Sequence, residues 1–199
     1  MERSYVGDTM SDPNRYLEQD EINAIIGATK RQSYRMLFFF LAGTGRRVSE
    51  VVRCLKPGDI NWTEGYINFT ILKRRKNKEF KMLLPVLDKF LLPLKRYIKD
   101  NHIRDDQFIF PMSRQRAGVI FKQAAYKVGI YHKGLGERNK PHLHLLRHSF
   151  GMRGAANASS PAAIRTLQES MGHSSIDTTM FYLNFSQKDK KKLLEEMFK

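Results

Sequence analysis

Alternation of apolar and polar residues occurs in one stretch of this chain. Tyr66, Ile67, Phe69, Ile71 and Leu72 read as one β-strand, and Phe80, Met82, Leu83 and Leu84 as a second. The polar segment 73–79 joins them as a hairpin, and Pro85 ends it because proline has no amide hydrogen to give to a ladder. Elsewhere the apolar residues recur at helical spacing or fill short blocks. One hairpin among helices makes the expected class α+β, mostly α with a small antiparallel β-sheet.

A helix begins near Tyr16, Leu17 and Glu18, with apolar positions at Ile22, Ile25 and Ile26. Residues 36–42 are apolar on every side, the pattern of a helix buried in the core. Gly45 breaks that run, and a following helix carries Arg47, Glu50, Val51, Val52 and Leu55. Lys56, Pro57, Gly58 and Asp59 have the composition of a turn. Beyond the hairpin a helix over 87–98 is kinked or split by Pro93. Further helices are expected at about 113–128, 144–155, 161–171 and 189–198, with an exposed basic loop over 131–141. Residues 1–15 are polar and aperiodic, a flexible tail, and 16–199 read as one domain without an internal boundary.

The charge narrows the partners. Thirty-five Lys and Arg stand against 20 Asp and Glu, a net charge of +15 over 199 residues. That excess points to an anionic partner, with nucleic acid first. No basic amphipathic helix or lipid anchor suggests a membrane surface, and the longest apolar run is too short to span a bilayer. The first residues lack the apolar centre of a signal peptide. Cys54 is the single cysteine, so there is no internal disulfide and no cysteine metal cluster. These features place the protein inside the cell, on DNA or RNA.

Three groups of residues carry chemistry. Thr44, Gly45, Arg46, Arg47, Val48, Ser49 and Glu50 form the first, in which Glu50 lies three residues after Arg47 and can brace its guanidinium. Taken alone, that pair also fits an ordinary surface ion pair, and Arg46 reads as solvated or as a contact to DNA backbone. The second runs from His142 through His144 to Arg147 and His148. His144 and Arg147 share one side of a helix and suit an anion: a bidentate donor beside a group that titrates near neutrality. His144 and His148 have metal-ligand spacing, but no carboxylate or cysteine within the motif completes a ligand set. In the third, Gly172 stops a helix, His173 follows, and Tyr182 lies nine residues further on. In isolation Tyr182 fits a packing tyrosine. The hairpin adds Lys73, Arg74, Arg75, Lys76, Lys78 and Lys81 against the single acid Glu79, a crowd of like charge that suits a phosphate backbone.

In this order and spacing, from about residue 17 to the end, the chain resembles the catalytic domain of the tyrosine recombinases, the phage integrase family. The resemblance implies a site-specific DNA recombinase that cleaves and rejoins DNA through a 3′-phosphotyrosine. Tyr182 would be the nucleophile. Arg47 and Arg147 would neutralise the non-bridging oxygens, His144 would assist as acid/base or by hydrogen bonding, and His173 would donate to the same phosphate. Glu50 would support Arg47, while Arg46, Arg74, Arg75, Lys76 and Lys78 would meet DNA. No metal, ATP or other cofactor is implied, because the tyrosyl ester conserves the energy of the broken bond. The family's general acid is a hairpin lysine, here Lys73, then Lys76, then Lys78; the usual glycine-containing turn is replaced and reads as longer. The family's N-terminal DNA-clamping domain is not expected in this chain. The last helix, about 188–199, carries Leu193, Leu194, Met197 and Phe198 on one face. In relatives such a helix docks on a neighbouring subunit and supports self-association on double-stranded DNA; packing on its own domain is the alternative. Type IB topoisomerase-like relaxation and a non-catalytic DNA-binding relic are the rival functions.

Overall fold

The computed structural model describes residues 16–73, 78–131 and 140–172, with side chains omitted for 70–73 and 78–81. Helix α1 (Gln19–Ala28) starts with Glu18 and Glu21 satisfying each other's terminal amides, and buries Ile22 and Ile25. The apolar block becomes α2 (Gln32–Thr44), whose Leu37, Phe38, Phe40 and Leu41 lie at the centre of the core. α2 ends at Gly45, whose φ of 62° is left-handed. A Cβ there would sit 2.4 Å from the Phe150 ring, so only glycine fits.

After α3 (Val48–Cys54) and a 3-10 turn at Pro57–Asp59 comes a three-stranded antiparallel sheet ordered β1 (Ile60–Asn61), β2 (Tyr66–Lys73), β3 (Lys78–Pro85). β1 was not foreseen, since two residues are too few to show alternation. The hairpin also differs from the sequence expectation. β2 and β3 stay paired out to Lys73 opposite Lys78, so only residues 74–77 connect them, and the joining segment is shorter than 73–79. Ile67 pairs with Leu84 and Phe69 with Met82, which directs one face of the sheet into the core.

α4 (Asp88–Asp100) runs unbroken through Pro93. Burial of Leu91, Leu94, Tyr97 and Ile98 along one face holds it together despite the lost backbone bond. α5 (Arg114–Lys127) is capped by the Ser113 hydroxyl, α6 (His144–Ala156) follows the segment 132–139, and α7 (Pro161–Met171) is capped by Ser160. α2 packs on α6 and α1 on α5. The entering chain is tied to α6 where the Leu17 amide donates to the buried Ser149 hydroxyl at 2.8 Å. The architecture is the expected one, mostly helical with a small antiparallel sheet. No helix among the described residues is long and apolar enough to cross a membrane. The tail 1–15, most of the loop 131–141 and the helix expected at 188–199 lie outside the described residues.

Candidate active site

The C-terminal end of α2 leaves backbone carbonyls without helical partners, and arginines of α6 satisfy two of those at this corner. Arg147 Nη1 donates to Gly45 O at 2.7 Å and Arg153 Nη2 to Ala42 O at 3.3 Å. Cations here also suit the negative end of the α2 dipole. The contact with Gly45 brings Arg147, which is 3% exposed, to within one residue of the Arg46–Arg47 pair, although 100 residues separate Arg47 from Arg147 in the chain.

Arg47 is the N-cap of α3, in extended conformation, and its side chain is 45% exposed. Glu50 holds it from behind: Oε1 accepts from Arg47 Nη1 at 3.1 Å, and Oε2 from the Arg47 amide at 3.3 Å. Arg46, Arg47, Arg147, His142, His144 and Arg114 line one cleft of about 320 Å³, together with Leu41, Val48 and Leu143. Among the described residues no carboxylate lines it. α5 and α6 present their first turns to this space, through Arg114 and His144, so two positive helix ends add to the side-chain charge.

His144 is exposed to solvent yet pressed by cations. Desolvation, then the charges of Arg147, His142, His148 and Arg47, push its imidazolium down to about 4, so the ring is neutral at pH 7. The His142 ring lies nearly parallel to it, with centroids 6.4 Å apart, and burial lowers its pKa too. Burial likewise lowers that of His148, at 3% exposure. Among the described residues no group of three His, Cys, Asp or Glu could hold a metal ion.

The structure thus brings Arg47, His144 and Arg147 together, with Glu50 behind Arg47. Lys73 and Lys78 end the two hairpin strands as a register pair, described in their backbone alone. Arg74, Arg75, Lys76, His173 and Tyr182 lie outside the described residues. Arg46 is a correction. Expected to be solvated or on DNA backbone, its side chain is 0% exposed and ion-paired with Glu50 at 2.7 Å. After the left-handed turn at Gly45 the two consecutive arginines differ in exposure: Arg46 is buried in the wall of the cleft, and Arg47 is nearly half exposed in it.

Arg114 was missed. The available signal was a first turn of α5 holding Arg114 and Arg116 and no acid, an arrangement unfavourable to the helix dipole that a nearby anion would relieve.

The pattern of the Phage integrase family matches residues 15–189. This chain belongs to that family. It is 26% identical over 181 residues to the tyrosine recombinase XerA of Pyrococcus horikoshii, covering 90% of this chain and 60% of the relative. A tyrosine recombinase XerD of Staphylococcus epidermidis is 31% identical over 193 residues, covering 89% and 60%. The chain therefore spans about 60% of the length of these relatives. The crystal structure of a XerA recombinase superposes with a TM-score of 0.72 at 22% identity, over 97% of this chain and 67% of that one. The XerH site-specific recombinase bound to palindromic difH substrate in a post-cleavage complex superposes at 0.65 and 17% identity, over 94% and 54%. At these identities the likeness concerns the fold.

Proposed function

We propose that this chain carries the catalytic domain of a site-specific DNA recombinase that breaks and rejoins double-stranded DNA through a 3′-phosphotyrosine. One observation carries the reading: Arg47, His144 and Arg147, from distant parts of the chain, share a cleft lined by cations and neutral imidazoles and, among the described residues, by no carboxylate. That cleft suits a phosphodiester gaining charge. The Tyr182 oxygen attacks phosphorus, the bond to the 5′-oxygen breaks, and the two guanidiniums balance the charge on the non-bridging oxygens. His144, held neutral, can take the phenolic proton, and a hairpin lysine, Lys73 before Lys76 and Lys78, returns one to the 5′-oxygen. His173 donates to the same phosphate. Arg74, Arg75, Lys76 and Lys78 grip the neighbouring backbone, and the segment 188–199 links subunits on DNA inside the cell. Recombination is favoured over relaxation because the relatives described above are recombinases by name.

The test is a nicked suicide duplex in excess chelator, read on a denaturing gel for protein covalently joined to DNA. The parent should form an adduct and Tyr182→Phe none. Arg147→Ala should slow it by roughly 100- to 1000-fold, as loss of one charge-stabilising donor does elsewhere. A relic would bind duplex and give no adduct. Adducts on plasmids of any sequence, with relaxation, would favour the topoisomerase reading.

A further inference from the structure

The corrected position of Arg46 gives it work that a surface residue could not do. Its guanidinium touches three separate parts of the chain. Nη2 pairs with Glu50 Oε2 at 2.7 Å, on the carboxylate that also holds Arg47. Nη1 donates to Ser170 O at 3.3 Å, in the last turn of α7, and to Met82 Sδ at 3.3 Å. The Arg46 Cζ lies 5.1 Å above the centre of the Phe69 ring. Phe69 and Met82 face each other across β2 and β3, so this one side chain covers a cross-strand pair of the hairpin that ends in Lys73 and Lys78. The chain runs from Ser170 through Gly172, where a Cβ would come within 3.0 Å of Arg46 Nη1, and then to His173 in sequence.

Each contact alone is an ordinary packing device; their convergence is not. Burial opposes the charge of Arg46, and the Glu50 carboxylate offsets that cost. Among the described residues Arg46 Nε has no hydrogen-bond partner, and its other contacts hold the group in place. Pairing with Arg46 also takes up half of the Glu50 carboxylate. Glu50 therefore orients Arg47 without cancelling the charge that Arg47 brings to the cleft.

We infer that Arg46 is a positioning residue that sets three elements against one another: the loop bearing Arg47, the hairpin bearing the lysines, and the end of α7 that leads to His173. In the kinetic arm below this rests on the recombinase reading; the exchange arm does not depend on it. Arg46→Met keeps the length and apolar stem and removes the fork. Arg46→Lys keeps the charge but cannot reach Glu50 and Ser170 together.

Amide hydrogen exchange on the DNA-free protein should rise about tenfold in the last turn of α7 and in residues 45–48 for both variants, with α1 unchanged. On the suicide duplex at saturating protein, Arg46→Met should form adduct about thirtyfold more slowly while binding duplex within about threefold of the parent. Arg46→Lys should recover part of the rate. Unchanged exchange at α7 would overturn the inference, whether or not the parent cleaves DNA. So would an Arg46→Met adduct rate within threefold of the parent. If Arg46→Met does not fold, Arg46→Lys carries both readings. A parent that forms no Tyr182-dependent adduct would instead sink the recombinase reading and leave the exchange result to decide the role of Arg46.

Discussion

Arg46 and Arg47 are neighbours of one residue type, share one carboxylate, and live in opposite environments. The first is sealed between sheet and α7, and the second is nearly half exposed in the cleft. On the buried side an ion pair is an internal joint, because a guanidinium out of water needs its counter-charge. On the cleft side the same carboxylate acts as a bracket, and the guanidinium remains available to a ligand. A positively charged site needs both: cations that face the phosphate, and a frame that keeps them from relaxing away from one another in its absence.

The sharpest way to break this comparison is to remove what the two arginines share. Glu50→Ala strands Arg46 in the interior, and loss of one partner from a buried pair costs about 3–5 kcal/mol. Arg47→Ala removes only an exposed partner and should cost less than about 1 kcal/mol. Thermal melting should then fall by roughly 6–12 °C for 3 kcal/mol of lost stability with Glu50→Ala, and by no more than about 4 °C with Arg47→Ala. Similar losses for the two variants would mean that Arg46 and Arg47 do not differ in the way their burial implies.

The same contrast explains what could be read from the chain. Helix ends were legible where one residue type enforces them, as at Gly45 and Gly172, both in the left-handed region. His144 with Arg147 was legible because helical spacing sets which side chains share a face, whereas Arg47 and Glu50 meet as N-cap and third residue of α3 and not, as expected, along one helical face. Arg46 was not, since its burial depends on Phe69, Met82 and Ser170, none of them near in sequence. Nor was the α5 wall of the cleft, which meets Arg47 and His144 only through tertiary packing. β1 was too short to alternate, and of the two outcomes expected at Pro93 the split does not occur, because the buried face of α4 holds it together.

On the exposed side, Arg114 allows a finer test. If it faces DNA phosphate across the cleft from Arg47, Arg114→Ala should weaken duplex binding for all sequences alike. The slope of log affinity against log salt should flatten by about 0.9, the value for one phosphate no longer neutralised by the protein. Arg46→Met, whose side chain meets no solvent, should leave that slope unchanged. A flattened slope for Arg46→Met would contradict its interior placement, and an unchanged slope for Arg114→Ala would take α5 out of the DNA interface.

The smallest expected effect concerns protons. His144 is held down to about 4 in the DNA-free protein by desolvation and by the cations of the cleft, against an ordinary value of 6.5. Between those values the unfolded chain binds more protons than the folded one, so stability rises with pH across that window. Put the other way, stability is lost as pH falls from 6.5 towards 4 and is level below that for this group. Burial of His142 and His148 acts in the same direction. A phosphate in the cleft would reverse the local field by countering Arg47, Arg147 and the partial charge of the helix ends, and the His144 pKa would climb. Duplex binding at about pH 6 should therefore take up protons, measurable as a dependence of the calorimetric binding heat on the ionisation enthalpy of the buffer. His144→Gln should remove most of that uptake, while Arg46→Met should leave it in place. Uptake that survives His144→Gln would assign the proton to His142 or His148 and move the phosphate further along the cleft.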